Sequence, residues 1–476
     1  MRIAMLASES NPFCKSGGLA DVVFALSKEL VKEGNEVIVL LPYHGVIKRK
    51  SIKVTKKGSY VVKMSWRQQD TTLYETAVDG VKFYFVENDA YFYRDHLYGY
   101  DDDGERFAYF ALAAKAALKH LKFKADIVHV HDWQTAMVPC LLKEEKPADP
   151  FYKDMKSVLT IHNPAFKGFL DRFFLNDFFN LRDELYDTGK VRLDGLVSTL
   201  KAGIVFADKI TTVSPTHRNE LLTFEHGQGL DRDLELRRYD FTGIANGIDI
   251  EEWDPSKDKG IARNFDVETV KEGKKANQKE LLDFFHITNR GGPVYGIVSR
   301  LSWQKGIDIM INNMREALAR GASLLILGSG EYELEQKCEA LRRDFPDTCG
   351  IYIGYNDAIA HKIYAGCDYF LMPSLFEPCG ISQMIAKRYG TLPIVRYTGG
   401  LADTVVGYNK DNLKVADGIG FNDYNDSGLG YAVGLSRELF EDKKAFWTCV
   451  KNAMKCDHSW KNSANEYLKI YHSLAS

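Results

Sequence analysis

The sequence has little of what marks a membrane-spanning, disulfide-rich or nucleic-acid-binding protein. Among its 476 residues no stretch approaches 18 uncharged apolar residues, so we expect no membrane span. Its eight cysteines form no C-x-x-C pair and no compact disulfide framework, which favours buried thiols in a reducing compartment. With 62 lysines and arginines against 65 aspartates and glutamates, the net charge of −3 indicates neither nucleic acid nor an anionic membrane as a partner.

We also expect no targeting signal, and no internal repeat is visible in the sequence. The start, MRIAMLASES, has too short an apolar stretch for a signal peptide, so we expect a cytoplasmic protein. A hydrophobic fraction of 45% and a charged fraction of 27% are typical of a globular chain and exclude a disordered, collagen-like or coiled-coil one. At about 150 residues per domain, the length suits three compact units or two large ones.

The first 42 residues read as strand, loop, helix and strand. Residues 2–6 form a short apolar run, and residues 36–42 (EVIVLLP) form a second one after Gly34. Nearly continuous apolar strands are typical of parallel sheets buried on both faces. Between the runs, apolar residues recur at helical spacing at Leu19, Val22, Val23, Leu26 and Leu30.

Strands and helices alternate in two separate series, which predicts two βαβ-based domains. One series ends near residue 215, and a more regular one begins near residue 294. We therefore expect an α/β fold of two doubly wound, Rossmann-like domains facing each other across a deep cleft. The predicted boundaries are 1–243 for the N-terminal domain, 244–455 for the C-terminal domain, and 456–476 for a C-terminal helix packed back on the N-terminal domain.

Ligands of open α/β sheets bind at the carboxyl ends of the strands, so the polar residues that follow strands are the candidates. After the first strand come Lys15, Gly17 and Gly18, just ahead of a helix. Paired glycines let a ligand approach the backbone, and a helix N-terminus with a nearby lysine suits an anion. A plain turn with a surface lysine explains this loop equally well. It is neither a Walker A loop nor G-x-G-x-x-G, which argues against a dinucleotide-dependent oxidoreductase.

Two more predicted strands of the first domain end in histidines. His131 and Asp132 follow one, and His162 follows the next. One histidine at a strand end is more often structural, but two at adjacent strand ends favour a site. Zinc is a further reading, which we discount because no H-E-x-x-H helix is present and the cysteines lie elsewhere. We expect no metal and no cofactor.

In the second domain the residues after the strands suit a diphosphate. Arg300 and Lys305 lie five residues apart between a strand and a helix, where they could neutralise a leaving nucleoside diphosphate. Glu377 lies just ahead of another helix, and residues 398–400 (TGG) open a third, where backbone amides could bind the same diphosphate. These parts suit transfer of a group from a nucleotide-diphosphate donor.

Several motifs together resemble one family, that of bacterial glycogen synthases and their starch-synthase relatives. The resemblance runs from residue 1 to the end of the chain, and the combination of K-[ST]-G-G-L and E-P-C-G carries most of it. The matching segments are KSGGLADVV (15–23), HDWQ (131–134), TIHNPAFKG (160–168), NGID (246–249), SRLSWQKG (299–306), LGSGE (327–331), PSLFEPCGISQ (373–383) and TGGLADTV (398–405).

The resemblance implies a hexosyltransferase of the GT-B fold. It would transfer α-glucosyl from ADP-glucose to the non-reducing end of an α-1,4-glucan, with retention and without a required metal. The N-terminal domain would hold the glucan and the C-terminal domain the nucleotide sugar. The implied roles are donor binding by Lys15, Gly17, Gly18, Thr398, Gly399 and Gly400, diphosphate binding by Arg300 and Lys305, an essential carboxylate near the donor sugar at Glu377, and the glucose and acceptor side at His162 and Asp132.

Two departures from the family pattern accompany this resemblance. Ser16 replaces the commoner threonine but keeps the hydroxyl, and Ile385 stands where many GT-B enzymes have a second glutamate, which leaves the ribose contacts unassigned. Two alternatives remain open at this point. The same fold could use UDP-glucose or another acceptor, or the chain could bind nucleotide sugars or glucan without catalysis.

Overall fold

A computed structural model describes residues 1–475 of the chain, which divides into two compact units. The first unit comprises Met1–Asn246 together with Trp460–Ser476, and the second comprises Gly247–Ser459. No helix in residues 1–475 has the length and apolar character needed to cross a membrane.

The first unit contains a nine-stranded sheet and a small three-stranded sheet, together with helices. Its strands are β1 (Arg2–Leu6), β2 (Glu36–Pro42), β3 (Thr55–Met64), β4 (Arg67–Val78), β5 (Val81–Glu87), β6 (Ile127–His131), β7 (Lys156–Ile161), β8 (Phe169–Leu170), β9 (Arg192–Leu193), β10 (Leu196–Ser198), β11 (Lys209–Thr212) and β12 (Phe241–Gly243). Its helices are α1 (Gly18–Lys32), α2 (Gly45–Lys48), α3 (Asp89–Phe92), α4 (Asp103–His120), α5 (Asp132–Thr135), α6 (Val138–Glu145), α7 (Phe174–Asp177), α8 (Glu184–Asp187), α9 (Thr199–Phe206), α10 (Pro215–Leu221), α11 (Asp231–Leu236) and, from the end of the chain, α20 (Trp460–Ala475).

The main sheet of this unit has the strand order β12-β11-β7-β6-β1-β2-β5-β4-β3. Its strands are parallel from β12 to β5, while β4 and β3 form an antiparallel extension at one edge. Strands β1 and β6 are neighbours in the middle, and β7 lies beside β6. The residues after these three strands therefore emerge at the same edge of the sheet.

The periodicity of the first helix is confirmed, because α1 buries the apolar residues predicted from its spacing against the sheet. The C-terminal helix α20 packs on the same side of this sheet. Its residues Trp460, Ala464, Tyr467 and Tyr471 are buried in one cluster with α1 and β1. This helix begins at Trp460 rather than at residue 456, after a turn in which the Asp457 carboxylate accepts from the Ser459 N–H.

The second unit has the predicted regular alternation of strands and helices. Its strands are β13 (Val294–Val298), β14 (Ser323–Gly328), β15 (Cys349–Ile353), β16 (Tyr369–Met372), β17 (Leu392–Arg396) and β18 (Ile419–Phe421). Its helices are α12 (Val270–Phe285), α13 (Ile307–Ala319), α14 (Tyr332–Asp344), α15 (Asp357–Gly366), α16 (Ser382–Arg388), α17 (Gly399–Thr404), α18 (Asp426–Glu441) and α19 (Lys443–Lys455).

The sheet of the second unit is parallel throughout, with the order β15-β14-β13-β16-β17-β18. The chain starts in the middle at β13, extends to one edge through β14 and β15, and returns to add β16 on the other side of β13. This reversal of direction is the doubly wound pattern that the sequence predicts. The loops after β13 and β16 lie next to each other at the switch point, where ligands of such sheets bind.

Candidate active site

The loop between β1 and α1 is anchored by a buried carboxylate. Glu9 is 2% exposed, and it accepts hydrogen bonds from the Ser16 N–H at 2.7 Å, the Ser16 hydroxyl at 2.6 Å and the Gly17 N–H at 3.2 Å. Burial raises the pKa of Glu9, and the hydrogen bonds from Ser16 and Gly17 oppose that rise. The carboxylate holds the Lys15–Gly18 loop in one conformation, so a plain turn, one of the two readings that the sequence left open, does not describe it fully.

Lys15 and the glycines beside it stay accessible on this anchored loop. Lys15, Gly17 and Gly18 are all exposed. The Lys15 ammonium forms an ion pair with Asp21 in the first turn of α1 at 2.7 Å. A cation held at a helix N-terminus, with open glycine backbone beside it, can bind an anionic group.

Asp132 and His162 lie together at the ends of β6 and β7. The Asp132 carboxylate accepts from the backbone N–H of His162 at 2.7 Å and from that of Asn163 at 3.2 Å. Asp132 itself has a left-handed backbone with φ of +55°, a conformation that aspartate tolerates better than most residues. The structure therefore brings these two predicted site residues into direct contact.

The surroundings change the proton affinity of both side chains. Burial raises the pKa of Asp132 to about 7, although the two backbone N–H groups that it accepts from oppose the shift. Burial also lowers the pKa of His162 to about 3, so its ring is neutral at physiological pH. A carboxyl whose pKa is raised to about 7 is suited to exchanging protons with a hydroxyl group.

The raised pKa of Asp132 predicts a pH-dependent stability. Below about pH 4 this carboxyl is protonated in both the folded and unfolded states, and above about pH 7 the folded state must bury its charge. Its contribution therefore lowers the stability of the fold as the pH rises between these values. The Asp132→Asn variant keeps an oxygen to accept from His162 but cannot ionise.

We expect the melting temperature of Asp132→Asn, minus that of the wild type, to increase across this window by roughly 10 °C. A pKa raised from 3.8 to about 7 corresponds to about 4 kcal/mol, and each kcal/mol changes the melting temperature by about 2–4 °C. Thermal unfolding followed at several pH values measures this difference. A difference that does not change between pH 4 and pH 7 would contradict the raised pKa.

A cavity of about 500 Å³ adjoins the Lys15 loop. Its polar lining includes Lys15, Ser16 and Tyr98, and its apolar lining includes Phe13 and Leu97. Mixed aromatic and hydrogen-bonding walls suit a polar organic ligand such as a sugar.

In the second unit, Lys305 and Glu377 form an ion pair. The Lys305 Nζ lies 2.5 Å from the Glu377 carboxylate, which is 10% exposed and also accepts from the Ser374 hydroxyl at 3.3 Å. Lys305 follows β13 and Glu377 follows β16, the two strands at the switch point of the sheet. Two residues predicted separately, from different motifs, therefore meet in the fold.

Glycines allow the loops around this pair to pack closely. Gly306, directly after Lys305, has φ of +70°, and a Cβ there would lie 2.1 Å from the Pro373 carbonyl oxygen. Gly399 has φ of +46°, and its Cβ would lie 1.9 Å from the Glu377 carbonyl oxygen. The Gly400 N–H also donates to the carbonyl of Glu377 at 3.2 Å. The turn at 398–400 and the Glu377 loop are thus one packed unit.

Arg300 lies at the same end of the sheet but is not part of the pair. Its side chain is exposed and has no hydrogen-bond or ion-pair partner within residues 1–475, so it is available to a ligand. The adjacent turn is fixed by Gly330, because Leu301 and Gly330 form a parallel backbone bridge. In the described residues, no cluster of three or more His, Cys, Asp or Glu side chains is arranged to hold a metal ion.

Sequence reasoning missed two residues that support the site. Glu9 lies three residues after the end of β1, where a single acidic residue is usually solvated, so the sequence alone gives little signal for it. His129 lies two residues before His131, so both side chains point to the same face of β6, where their rings stack with centroids 4.3 Å apart.

Known proteins share this organisation along the whole chain. The family model described as the starch synthase catalytic domain matches residues 2–236, and that of glycosyl transferases group 1 matches residues 278–419. A glycogen synthase from Anoxybacillus flavithermus is 43% identical over 476 residues, which is 100% of this chain and 98% of that protein. The chain belongs to the glycogen synthase family.

Other relatives of the glycogen synthase family agree with this assignment. A glycogen synthase from Clostridioides difficile is 41% identical, with 100% of both chains covered. The structure of the catalytic domain of starch synthase IV from Arabidopsis thaliana, bound to ADP and acarbose, has a TM-score of 0.88 and 29% identity, and the match covers 99% of each chain. The chain is therefore a glycosyltransferase with the two-domain GT-B fold that its sequence predicts.

Proposed function

We propose that this glycosyltransferase transfers α-D-glucosyl from ADP-glucose to the non-reducing end of an α-1,4-glucan, with retention of configuration. The observation that carries the proposal is the Lys305–Glu377 pair, packed against the glycine turn at 398–400. The starch synthase IV catalytic domain, which has the same fold, was solved bound to ADP and acarbose, and this supports a nucleoside diphosphate and a glucan as ligands of the present chain.

The second unit supplies the groups that suit the donor. As the glycosidic bond to the diphosphate breaks, negative charge develops on the leaving ADP. Arg300 is free to bind this charge, and Lys305 can share its ammonium between Glu377 and the diphosphate. Thr398 and Gly399 are proposed to contribute further contacts to the phosphate oxygens, and Gly400, whose N–H donates to the Glu377 carbonyl, is proposed to hold this turn in place. Cations that stabilise a charge formed in the transition state increase kcat rather than substrate binding alone.

We propose that Glu377 orients Lys305 and the donor sugar. It does not attack the anomeric carbon of that sugar. Its carboxylate is already engaged by the Lys305 ammonium and by the Ser374 hydroxyl. We propose a front-face reaction. The bond between the anomeric carbon and the phosphate oxygen breaks, and this phosphate oxygen takes the proton of the acceptor hydroxyl. The acceptor oxygen forms the new bond to the anomeric carbon on the same face. A covalent glycosyl-enzyme trapped on Glu377 or Asp132 would overturn this mechanism.

The first unit supplies the groups proposed for the glucose and the acceptor. His162 and Asp132 meet at the ends of β6 and β7, and the neutral imidazole of His162 can hydrogen-bond a sugar hydroxyl. Lys15, Gly17 and Gly18 are proposed to contribute to donor binding through a charge and open backbone. The cavity of about 500 Å³ beside Lys15 is proposed to take a glucosyl unit of the acceptor.

A cytoplasmic location is part of the proposal. Its support is that all eight cysteines are free thiols, as is usual in a reducing compartment.

Extension of maltopentaose tests the proposed reaction. With ADP-glucose and maltopentaose, we expect maltohexaose and ADP to form in equal amounts, and NMR of the product to show a new α-1,4 linkage. The Glu377→Ala variant serves as the control. A β-linkage, or ADP release without chain extension in the presence of maltopentaose, would contradict the proposal.

A further inference from the structure

A row of buried histidines lies behind His162. His129 and His131 are both on β6, are 0% exposed, and stack on each other. The His131 ring is next to that of His162, with 3.0 Å between His131 Nδ1 and His162 Nε2. Two neutral imidazoles can share this hydrogen bond in only two ways, since one nitrogen must donate and the other must accept.

The far side of His131 decides between the two arrangements. Its Nε2 is buried and has no hydrogen-bond partner within the described residues. If His162 donated, His131 would carry its proton on Nε2, as a buried N–H with nothing to accept it. If His131 donates from Nδ1, its Nε2 carries only a lone pair that accepts no hydrogen bond. A buried N–H without a partner is the rarer and costlier state.

His129 is held by hydrogen bonds at both of its ring nitrogens. Its Nε2 lies 2.6 Å from the Thr160 hydroxyl, and its Nδ1 lies 2.6 Å from the Tyr471 hydroxyl. The Thr160 hydroxyl is in turn 2.6 Å from the Thr211 hydroxyl. The His129 ring is therefore fixed in position and supports the His131 ring that stacks on it.

We propose that His131 is a positioning residue that fixes His162 in the Nδ1–H tautomer, so that His162 presents a hydrogen-bond donor to the sugar. His162 Nδ1 has no partner in residues 1–475 and is not among the buried polar atoms, so it is open to a ligand. The backbone of His162 is held separately by the Asp132 carboxylate at 2.7 Å. Asp132 thus positions the backbone of His162, and His131 determines which ring nitrogen of His162 carries the proton.

The role in sugar binding rests on the proposed function, but the tautomer can be measured without any substrate. In ¹⁵N-histidine-labelled protein, NMR distinguishes a protonated ring nitrogen from one with a lone pair, and the His162→Gln variant assigns the signal. We expect Nδ1 of His162 to be protonated and Nε2 to be unprotonated in the wild type. The opposite pattern would overturn the inference, whether or not the protein transfers glucose.

Two variants of His131 separate positioning from packing. His131→Phe keeps a flat ring over His129 but cannot donate, whereas His131→Asn offers an amide N–H near the position of Nδ1. We expect His162 to populate both tautomers in His131→Phe. We also expect kcat to fall by about tenfold, the effect of one lost hydrogen bond. His131→Asn should restore both the single tautomer and most of kcat.

The measurements are made on the full-length chain, with kcat determined for ADP-glucose and maltopentaose. Loss of activity in both variants with an unchanged His162 tautomer would show that His131 acts only by packing. If His131→Phe does not fold, the spectra of the wild type and of His131→Asn still decide the question, because each must show His162 protonated at Nδ1.

Discussion

Replacing Lys305 with alanine should lower kcat for glucosyl transfer by about 100-fold or more. The Lys305 ammonium is 2.5 Å from the Glu377 carboxylate in the free protein, at the switch point of the second sheet. We expect it to stabilise the charge that forms on ADP as the glycosidic bond breaks. Losing such a charge contact costs about two to three orders of magnitude in rate. Since the contact strengthens in the transition state, kcat should fall more than the affinity for ADP-glucose.

Lys257→Ala is the matched control for this prediction. It removes one positive charge from the same unit, at a side chain that is 81% exposed and 3.9 Å from its partner Asp254. Steady-state kinetics with ADP-glucose should give wild-type values for Lys257→Ala. An unchanged kcat in Lys305→Ala would reject the role of Lys305.

Gly399→Ala should reduce kcat/KM by about 100-fold, although it adds only one methyl group. The backbone at Gly399 is left-handed, with φ of +46°, and the new Cβ would lie 1.9 Å from the Glu377 carbonyl oxygen. Neither atom belongs to a flexible side chain, so the 398–400 turn and the Glu377 loop must separate. A displacement of about 1 Å in an active site can cost 100-fold in rate.

Gly434→Ala is the corresponding control. Gly434 is exposed in the interior of α18, its backbone is not left-handed, and no atom lies within 4 Å of the place that a Cβ would take. Alanine favours a helix by up to about 1 kcal/mol over glycine, so this variant should be fully active and slightly more stable. Kinetics and thermal unfolding of both variants test the pair. Wild-type kcat/KM in Gly399→Ala would show that the turn is not part of the site.

The elements that the sequence predicts best are those whose pattern is local. The apolar run of β1 and the spacing of buried residues in α1 are both recognisable within a window of a few residues, and both are found. The alternation from β13 to β17 is equally regular, because each buried parallel strand must be almost entirely apolar. These features fix the fold class before any tertiary contact is known.

Contacts between distant segments could not be predicted in the same way. Lys305 and Glu377 were both expected in the donor site, but their ion pair was not predicted. It forms because β13 and β16 are neighbours in the sheet, although β14 and β15 lie between them in the sequence. The hydrogen bond from Tyr471 to His129 joins residues 342 positions apart. No local periodicity indicates such a pairing, since it depends on how α20 returns to the first sheet.

Glu9 shows a different kind of omission. A single acidic residue in a loop is usually solvated, and only the folded loop shows that this carboxylate is 2% exposed and holds Ser16 and Gly17. The KSGG motif was visible in the sequence, but its rigidity was not. A motif thus indicated where a ligand could bind, while the residue that shapes the loop was found only from its burial and hydrogen bonds.

Transfer of labelled glucose to glycogen tests the central claim most directly, with ADP-glucose and UDP-glucose measured side by side and Glu377→Ala as the control. We expect strong incorporation from ADP-glucose, little from UDP-glucose, and none in the variant. That result would establish the donor, the reaction and the site together. No incorporation from ADP-glucose by the folded wild-type protein would contradict the proposed function.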